Sequence, residues 1–184
     1  MRCRFILLLL PFLLFPASGA HAQKRVFATV NPNAEVYNGS ADLYDPLTGA
    51  FSPAAGGLNV PREDHVAVRL ANGSVLIAGG YDNHHMRHAE MYLPAAGTFT
   101  PVEDMVSTRS NAAAIALAHG TVFIAGGYNG TYLRTVEIFE PVAGRFSLLG
   151  VQMSVARQDP ALARLQNGNI LISGGFNGAF FGTA

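Results

Sequence analysis

Residues Asp82-Asn83-His84-His85-Met86-Arg87-His88 hold the densest set of metal-ligating and titratable side chains in this sequence. Three imidazoles and a carboxylate could ligate zinc or copper. Adjacent residues on an extended chain point to opposite sides, so His84 and His85 could share one ion only across a kink. The stretch reads instead as a solvated loop, and no metal is assigned. Asp82, His84, His85, Arg87 and His88 are candidates for contacting a ligand. The corresponding stretch 47 residues later, Asn129-Gly130-Thr131-Tyr132-Leu133-Arg134, has no histidine and adds Asn129 and Tyr132 as candidates. Asp64 and His65 form a second pair able to exchange a proton, which gives them a possible catalytic role.

Other chemistries find no residues to support them. The glycine pairs form neither a dinucleotide fingerprint nor a phosphate loop with its lysine, and no G-x-S-x-G elbow is present. No cofactor is implied. Asn38-Gly39-Ser40, Asn72-Gly73-Ser74 and Asn129-Gly130-Thr131 fit the glycosylation sequon, but turn formation explains these residues more simply.

The elements that must position these side chains are written three times. Val75-Leu76-Ile77-Ala78-Gly79-Gly80-Tyr81 returns as Val122-Phe123-Ile124-Ala125-Gly126-Gly127-Tyr128 and as Ile170-Leu171-Ile172-Ser173-Gly174-Gly175-Phe176. From Gly79 to Gly126 to Gly174 the step is 47 and then 48 residues, the period of a repeat architecture. Each run is too short for a helix and rich in β-branched residues. It predicts a strand buried on both faces.

Around this strand, called b, three others recur. Strand a runs from a repeated arginine (Arg62, Arg109, Arg157) to a tight turn such as Ala71-Asn72-Gly73. Strand c is Ala41-Asp42-Leu43-Tyr44-Asp45-Pro46, repeated as Ala89 to Pro94 and Val136 to Pro141. Strand d opens at Gly49-Ala50-Phe51, Gly97-Thr98-Phe99 and Gly144-Arg145-Phe146. No stretch has helical period and length, so the class is all-β. The arginines are expected to reach carbonyls or the repeated acids Asp42, Glu90 and Glu137. They and the diglycines are read as scaffold, because one ligand rarely needs the same residue in every repeat.

Residues 1–22 read as a secretory signal peptide. Arg2 and Arg4 precede an apolar run over residues 5–15, and Ala20-His21-Ala22 offers a cleavage site. Cleavage there leaves residues 23–40 as an N-terminal segment and 41–184 as the repeats, in a protein expected to be secreted or periplasmic. Its ten basic and twelve acidic residues argue against nucleic acid or an anionic membrane as partner. The only cysteine, Cys3, leaves with the signal, so the exported chain has no disulfide or cysteine nucleophile.

Four short strands per repeat, a diglycine, a Tyr-x-Pro-type strand and an upstream arginine resemble the kelch repeat. That resemblance spans roughly Ala41 to Gly178 and implies a β-propeller. The chain has no Trp, where many kelch repeats carry one, and Phe51, Phe99 and Phe146 are expected to fill that place. The resemblance implies an interaction platform whose blade-end loops meet a protein or glycan. Galactose-oxidase-like proteins are similar too, but their radical copper site needs a Tyr–Cys crosslink that this chain cannot form. A sialic-acid-mutarotase-like propeller enzyme is the alternative reading.

Leaving aside the weak apolar segment at Val26, the pattern gives c and d, two full sets, then a and b. That is about three blades in an open arc, an incomplete propeller. The two ends look like complementary halves. A piece of a longer propeller, or a head-to-tail homodimer joining the halves, would each resolve this.

Overall fold

The computed structural model describes residues 25–28 and 37–179. The proposed signal peptide lies outside them. The described residues hold strands and turns with no helix, in four separate antiparallel sheets forming an open arc.

The first sheet is β1 (Arg25–Ala28), β2 (Ala41–Asp45) and β3 (Ala50–Pro53). The second is β4 (Val66–Arg69), β5 (Val75–Ala78), β6 (Ala89–Leu93) and β7 (Thr98–Pro101). The third is β8 (Ala113–Ala116), β9 (Val122–Ala125), β10 (Thr135–Glu140) and β11 (Arg145–Gln152). The last pairs β12 (Ala161–Arg164) with β13 (Ile170–Ser173). Strand order follows chain order in each sheet, so every blade is a simple meander.

One expectation is corrected. The opening sheet has three strands, not two, because β1 pairs antiparallel with β2 in the register Ala28↔Ala41. The same register joins β5 to β6 at Ala78↔Ala89. Arg25-Val26-Phe27-Ala28 therefore takes the place of strand b. Thr29-Val30 follows where the other repeats have Gly-Gly, which hid the strand from a search for diglycines.

The diglycine strands β5 and β9 are buried from both sides, as their composition predicts, whereas β13 is not, with Leu171 exposed. Leu76 packs in a cluster with Val122, Ile124, Phe139 and Phe146 of the following blade. Its neighbour Ile77 faces the other way, toward Ala41 and Leu58. A period of two thus places successive apolar residues in two different cores.

The c–d aromatic pairs recur with nearly one geometry. Ring centroids lie 5.0, 4.9 and 4.7 Å apart for Tyr44–Phe51, Tyr92–Phe99 and Phe139–Phe146. Phe99 and Phe146 are buried, but Phe51 is 65% exposed. Among the described residues no sheet lies beyond the first one to cover it, so Phe51 fills the expected aromatic place only as a ring pair with Tyr44.

The turns match their sequence signals. Gly73, Gly120 and Gly168 take φ of 89°, 91° and 88° at the a–b hairpins. The sequon asparagines cap turns: Asn72 Oδ1 accepts from Ser74 N at 3.1 Å and from Ser74 Oγ at 2.6 Å.

Candidate functional site

The repeated arginines come first, because they fix the loops that follow. Arg62 donates from Nη1 to the Gly79 and His88 carbonyls at 2.9 and 2.6 Å, and from Nη2 to Glu90 Oε1 at 2.8 Å. Arg109 repeats this with Gly126 O at 2.8 Å and Glu137 Oε1 at 2.6 Å. Arg157 donates to Gly174 O at 2.6 Å. Burial pushes the Arg62 and Arg109 guanidiniums down from their usual range, and the facing Glu90 and Glu137 pull them back. Each glutamate also accepts from the incoming connector: Glu90 from Asn59 N and Val60 N, Glu137 from Val106 N and Ser107 N. The pair therefore ties each blade to the chain that enters it.

The two glycines of each pair serve different neighbours. A side chain on the second would strike a carbonyl of its own blade, Glu63 O, Ser110 O or Gln158 O, at 2.6 Å in each case. On the first it would meet the next blade: Arg109 O at 2.5 Å from Gly79, Arg157 O at 2.4 Å from Gly126. Gly80 N and Gly127 N donate to those same carbonyls at 2.9 Å, so the blades touch backbone to backbone.

Immediately after each diglycine stands an aromatic residue, and these rings meet. Tyr37, Tyr81, His85, Tyr128, Tyr132 and Phe176 form a continuous row, with centroid spacings of 6.2, 5.1, 5.2, 5.1 and 5.8 Å. All six are half-buried, so part of each ring is accessible to solvent. It crosses from blade to blade, since His85 of the second sheet packs on Tyr128 of the third, and Tyr132 of the third on Phe176 of the fourth.

A second row runs beside it. Glu63, Ser110 and Gln158 each form a β-bridge to the aromatic after the diglycine of their own blade. The next residues, Asp64, Asn111 and Asp159, take left-handed φ of 53°, 53° and 51°. Asn111 N donates to Asp64 O at 3.0 Å, and Asp159 N to Asn111 O at 2.8 Å. Asp and Asn tolerate this conformation better than other side-chain-bearing residues. Burial pushes the Asp64 carboxyl up, Asp159 adds to the rise, and His85 opposes it. Glu63 is raised as well, by burial and then by Asp64.

The seven loop candidates disperse over this geometry. His85 enters the ring row, with Nδ1 3.0 Å from Ser110 Oγ. His88 and Arg87 turn outward to one acid, Asp104, at 3.0 and 3.2 Å. His84 is exposed, and its carbonyl accepts from Asp82 N at 3.2 Å. Asn129 caps its turn through Thr131 Oγ1 at 3.2 Å, while Tyr132 joins the row. Among the described residues no three of His, Cys, Asp and Glu converge as a metal-binding group.

Of the possible acid–base pair, His65 is pushed down to about 4, chiefly by burial and then by Arg62, which keeps it neutral near pH 7. Among the described residues its Nδ1 has no hydrogen-bond partner. Sequence reasoning passed over Tyr37, Tyr81, Tyr128 and Phe176 as site residues. The aromatic after every diglycine was the available signal.

Residues 109–150 match the family model of the Kelch motif. That stretch runs from Arg109 through the diglycine into the Phe146 strand, one set of the elements above. The third sheet carries a kelch motif, and the other sheets repeat its elements. Among solved structures, this chain is similar to a fungal alcohol oxidase of the AA5 family, in complex with copper. The TM-score is 0.63 at 21% identity over 75% of this chain, and the match covers 32% of that chain. At that identity the likeness establishes the fold alone, and this chain spans about a third of the length of that structure. No curated protein matches. The kelch motif and the all-β sheets support a β-propeller protein-binding module.

Proposed function

We propose that the chain is an exported binding module whose recognition surface is the loop end of its kelch blades, presented to a protein partner. The observation that carries this reading is the unbroken row of six rings crossing every blade boundary. Aromatic side chains supply large contact area with little rotamer freedom to lose, which suits them to anchor a partner. These rings also stand on a backbone fixed by inter-blade hydrogen bonds, so the surface is organised before a partner arrives.

Two features favour a protein segment over a glycan. Successive rings are turned by 55–80°, so the row offers notches between rings rather than one flat platform for a sugar face. The mixture of rings, amide and carboxylates beside it suits side chains of differing chemistry.

The test is to screen the exported protein on peptide and glycan arrays beside Tyr128→Ala and His85→Ala variants whose melting temperatures show them folded. Peptides bound by the parent and lost by both variants are the expected result. Glycans as the only track-dependent binders would overturn the protein partner. Binders indifferent to both substitutions would overturn the surface itself.

A further inference from the structure

The charges of the kelch arc are sorted by blade end. The b–c loops and d–a connectors form one end, which carries Glu63, Asp64, Asp82, Glu103, Asp104 and Asp159. Arg87 and Arg134 are the exposed arginines of that end among the described residues, and they sit at the start of strand c. Arg87 is already paired with Asp104, and Arg134 Nε donates to Met153 O at 2.9 Å. The repeated arginines are buried beneath, bonded to the carbonyls of their own blades, Arg62 and Arg109 also to Glu90 and Glu137. At the opposite end the balance reverses, with Arg69, Arg145 and Arg164 against Asp45 and Glu140.

This sorting places carboxylates directly beside the rings. Glu63 is bridged to Tyr81, Asp64 follows it, and Asp159 lies two blades on along the same hydrogen-bonded row. Resting on the protein-binding reading above, we propose that the partner segment is basic, with arginine or lysine side chains seated against the rings of Tyr81 and Tyr128 and paired with Asp64 and Asp159. A guanidinium or ammonium is drawn to a ring face by the ring's quadrupole and to a carboxylate by charge, and here both lie within one row. Asp159 adds to the cost of ionising Asp64, a cost that a cation seated between them relieves. The raised carboxyls of Glu63 and Asp64 also imply weaker binding as pH falls through their titration.

The structure supplies its own control. Asn111 occupies the position between Asp64 and Asp159 with the same φ of 53°. Asp64→Asn with Asp159→Asn therefore removes two charges while retaining a residue type already tolerated there. The probe is a fluorescent arginine–glycine repeat peptide, measured by anisotropy beside glutamine–glycine and glutamate–glycine counterparts. Only the arginine peptide is expected to bind, losing roughly tenfold in affinity in the double variant and weakening with added salt. Equal binding of the glutamine peptide, or no effect of the double variant, would overturn the basic partner. The outcomes also separate the two readings. Array-selected peptides that need Tyr128 but not the two aspartates would leave the protein-binding reading standing and remove this one. Peptides that need neither would remove both.

Discussion

Arg109 and Ser110 are adjacent in the chain, yet they belong to regions built on opposite rules. At Arg109 the three repeats agree almost atom for atom: Nη1 reaches the first-glycine carbonyl at 2.9, 2.8 and 2.6 Å in successive blades. One residue later they diverge to Glu63, Ser110 and Gln158, and the loop rings diverge to His85 and Tyr132. Positions held identical set where the backbone lies. Positions free to vary stand on that backbone and face outward. The difference places stability in the buried arginine–glutamate brace and, on the proposed reading, recognition in the loop end, and substitutions in the two regions should therefore fail in different ways.

The largest effect is expected from Glu137→Ala. It strands the buried Arg109 guanidinium and the N–H groups of Val106 and Ser107, at a cost of roughly 3–5 kcal/mol by denaturant unfolding. A loss below about 1 kcal/mol, the size of an exposed pair, would mean the brace does not hold the blade.

Next come the first glycines, where the structure contains its own comparison. Gly126 and Gly174 share a left-handed φ of 69° and 64°, so alanine is strained at both. Only at Gly126 does the new methyl also meet the next blade, at Arg157 O. Among the described residues nothing lies within contact of a methyl at Gly174. Gly126→Ala should therefore destabilise by roughly 1–3 kcal/mol more than Gly174→Ala. Equal losses in thermal unfolding would assign the diglycine to backbone strain alone.

His65 supplies a pH dependence of somewhat smaller size. Its folded value of about 4 lies below the unfolded 6.5. The unfolded chain therefore takes up a proton first, and stability present above about 6.5 is lost as pH falls toward 4. The gap corresponds to at most about 3 kcal/mol. Glu63 and Asp64, whose carboxyls are raised, oppose this trend in the acid range. His65→Ala, which copies the Ala112 of the next repeat, should flatten the fall between pH 6.5 and 4, whatever it does to stability at pH 7. An unchanged slope in that variant would assign the acid sensitivity to other groups.

The smallest effect is predicted for Asp104→Ala at the loop end. Its pairs with Arg87 and His88 are exposed, and the change should cost no more than about 1 kcal/mol. A loss as large as that of Glu137→Ala would erase the distinction between the regions.

The brace region was largely legible in the sequence and the ring row was not. Strand b declared itself through β-branched residues, and the diglycine and arginine through repetition at a fixed period. β1 escaped because Thr29-Val30 replaces the diglycine that marks its relatives, leaving only a short apolar run. Phe51 could not be told from Phe99 and Phe146, since its exposure depends on what packs beyond the first sheet. The ring row was hidden for another reason. His85 and Tyr128 are 43 residues apart and meet only because two blades stack. A periodic reading sees each Gly-Gly-Tyr as the end of one strand, never as a link between two. The histidine loop shows the reverse case, with close spacing in sequence and separate destinations in space.

The central claim is that partners meet the ring-bearing loop end and leave the brace and the opposite end untouched. Amide hydrogen exchange on the full chain, with and without the arginine–glycine peptide, tests it most directly. Added protection is predicted in residues 81–88 and 128–134, with the a–b turns at 71–74 and 118–121 unchanged. Protection at those a–b turns, with the ring-bearing loops unaffected, would contradict it.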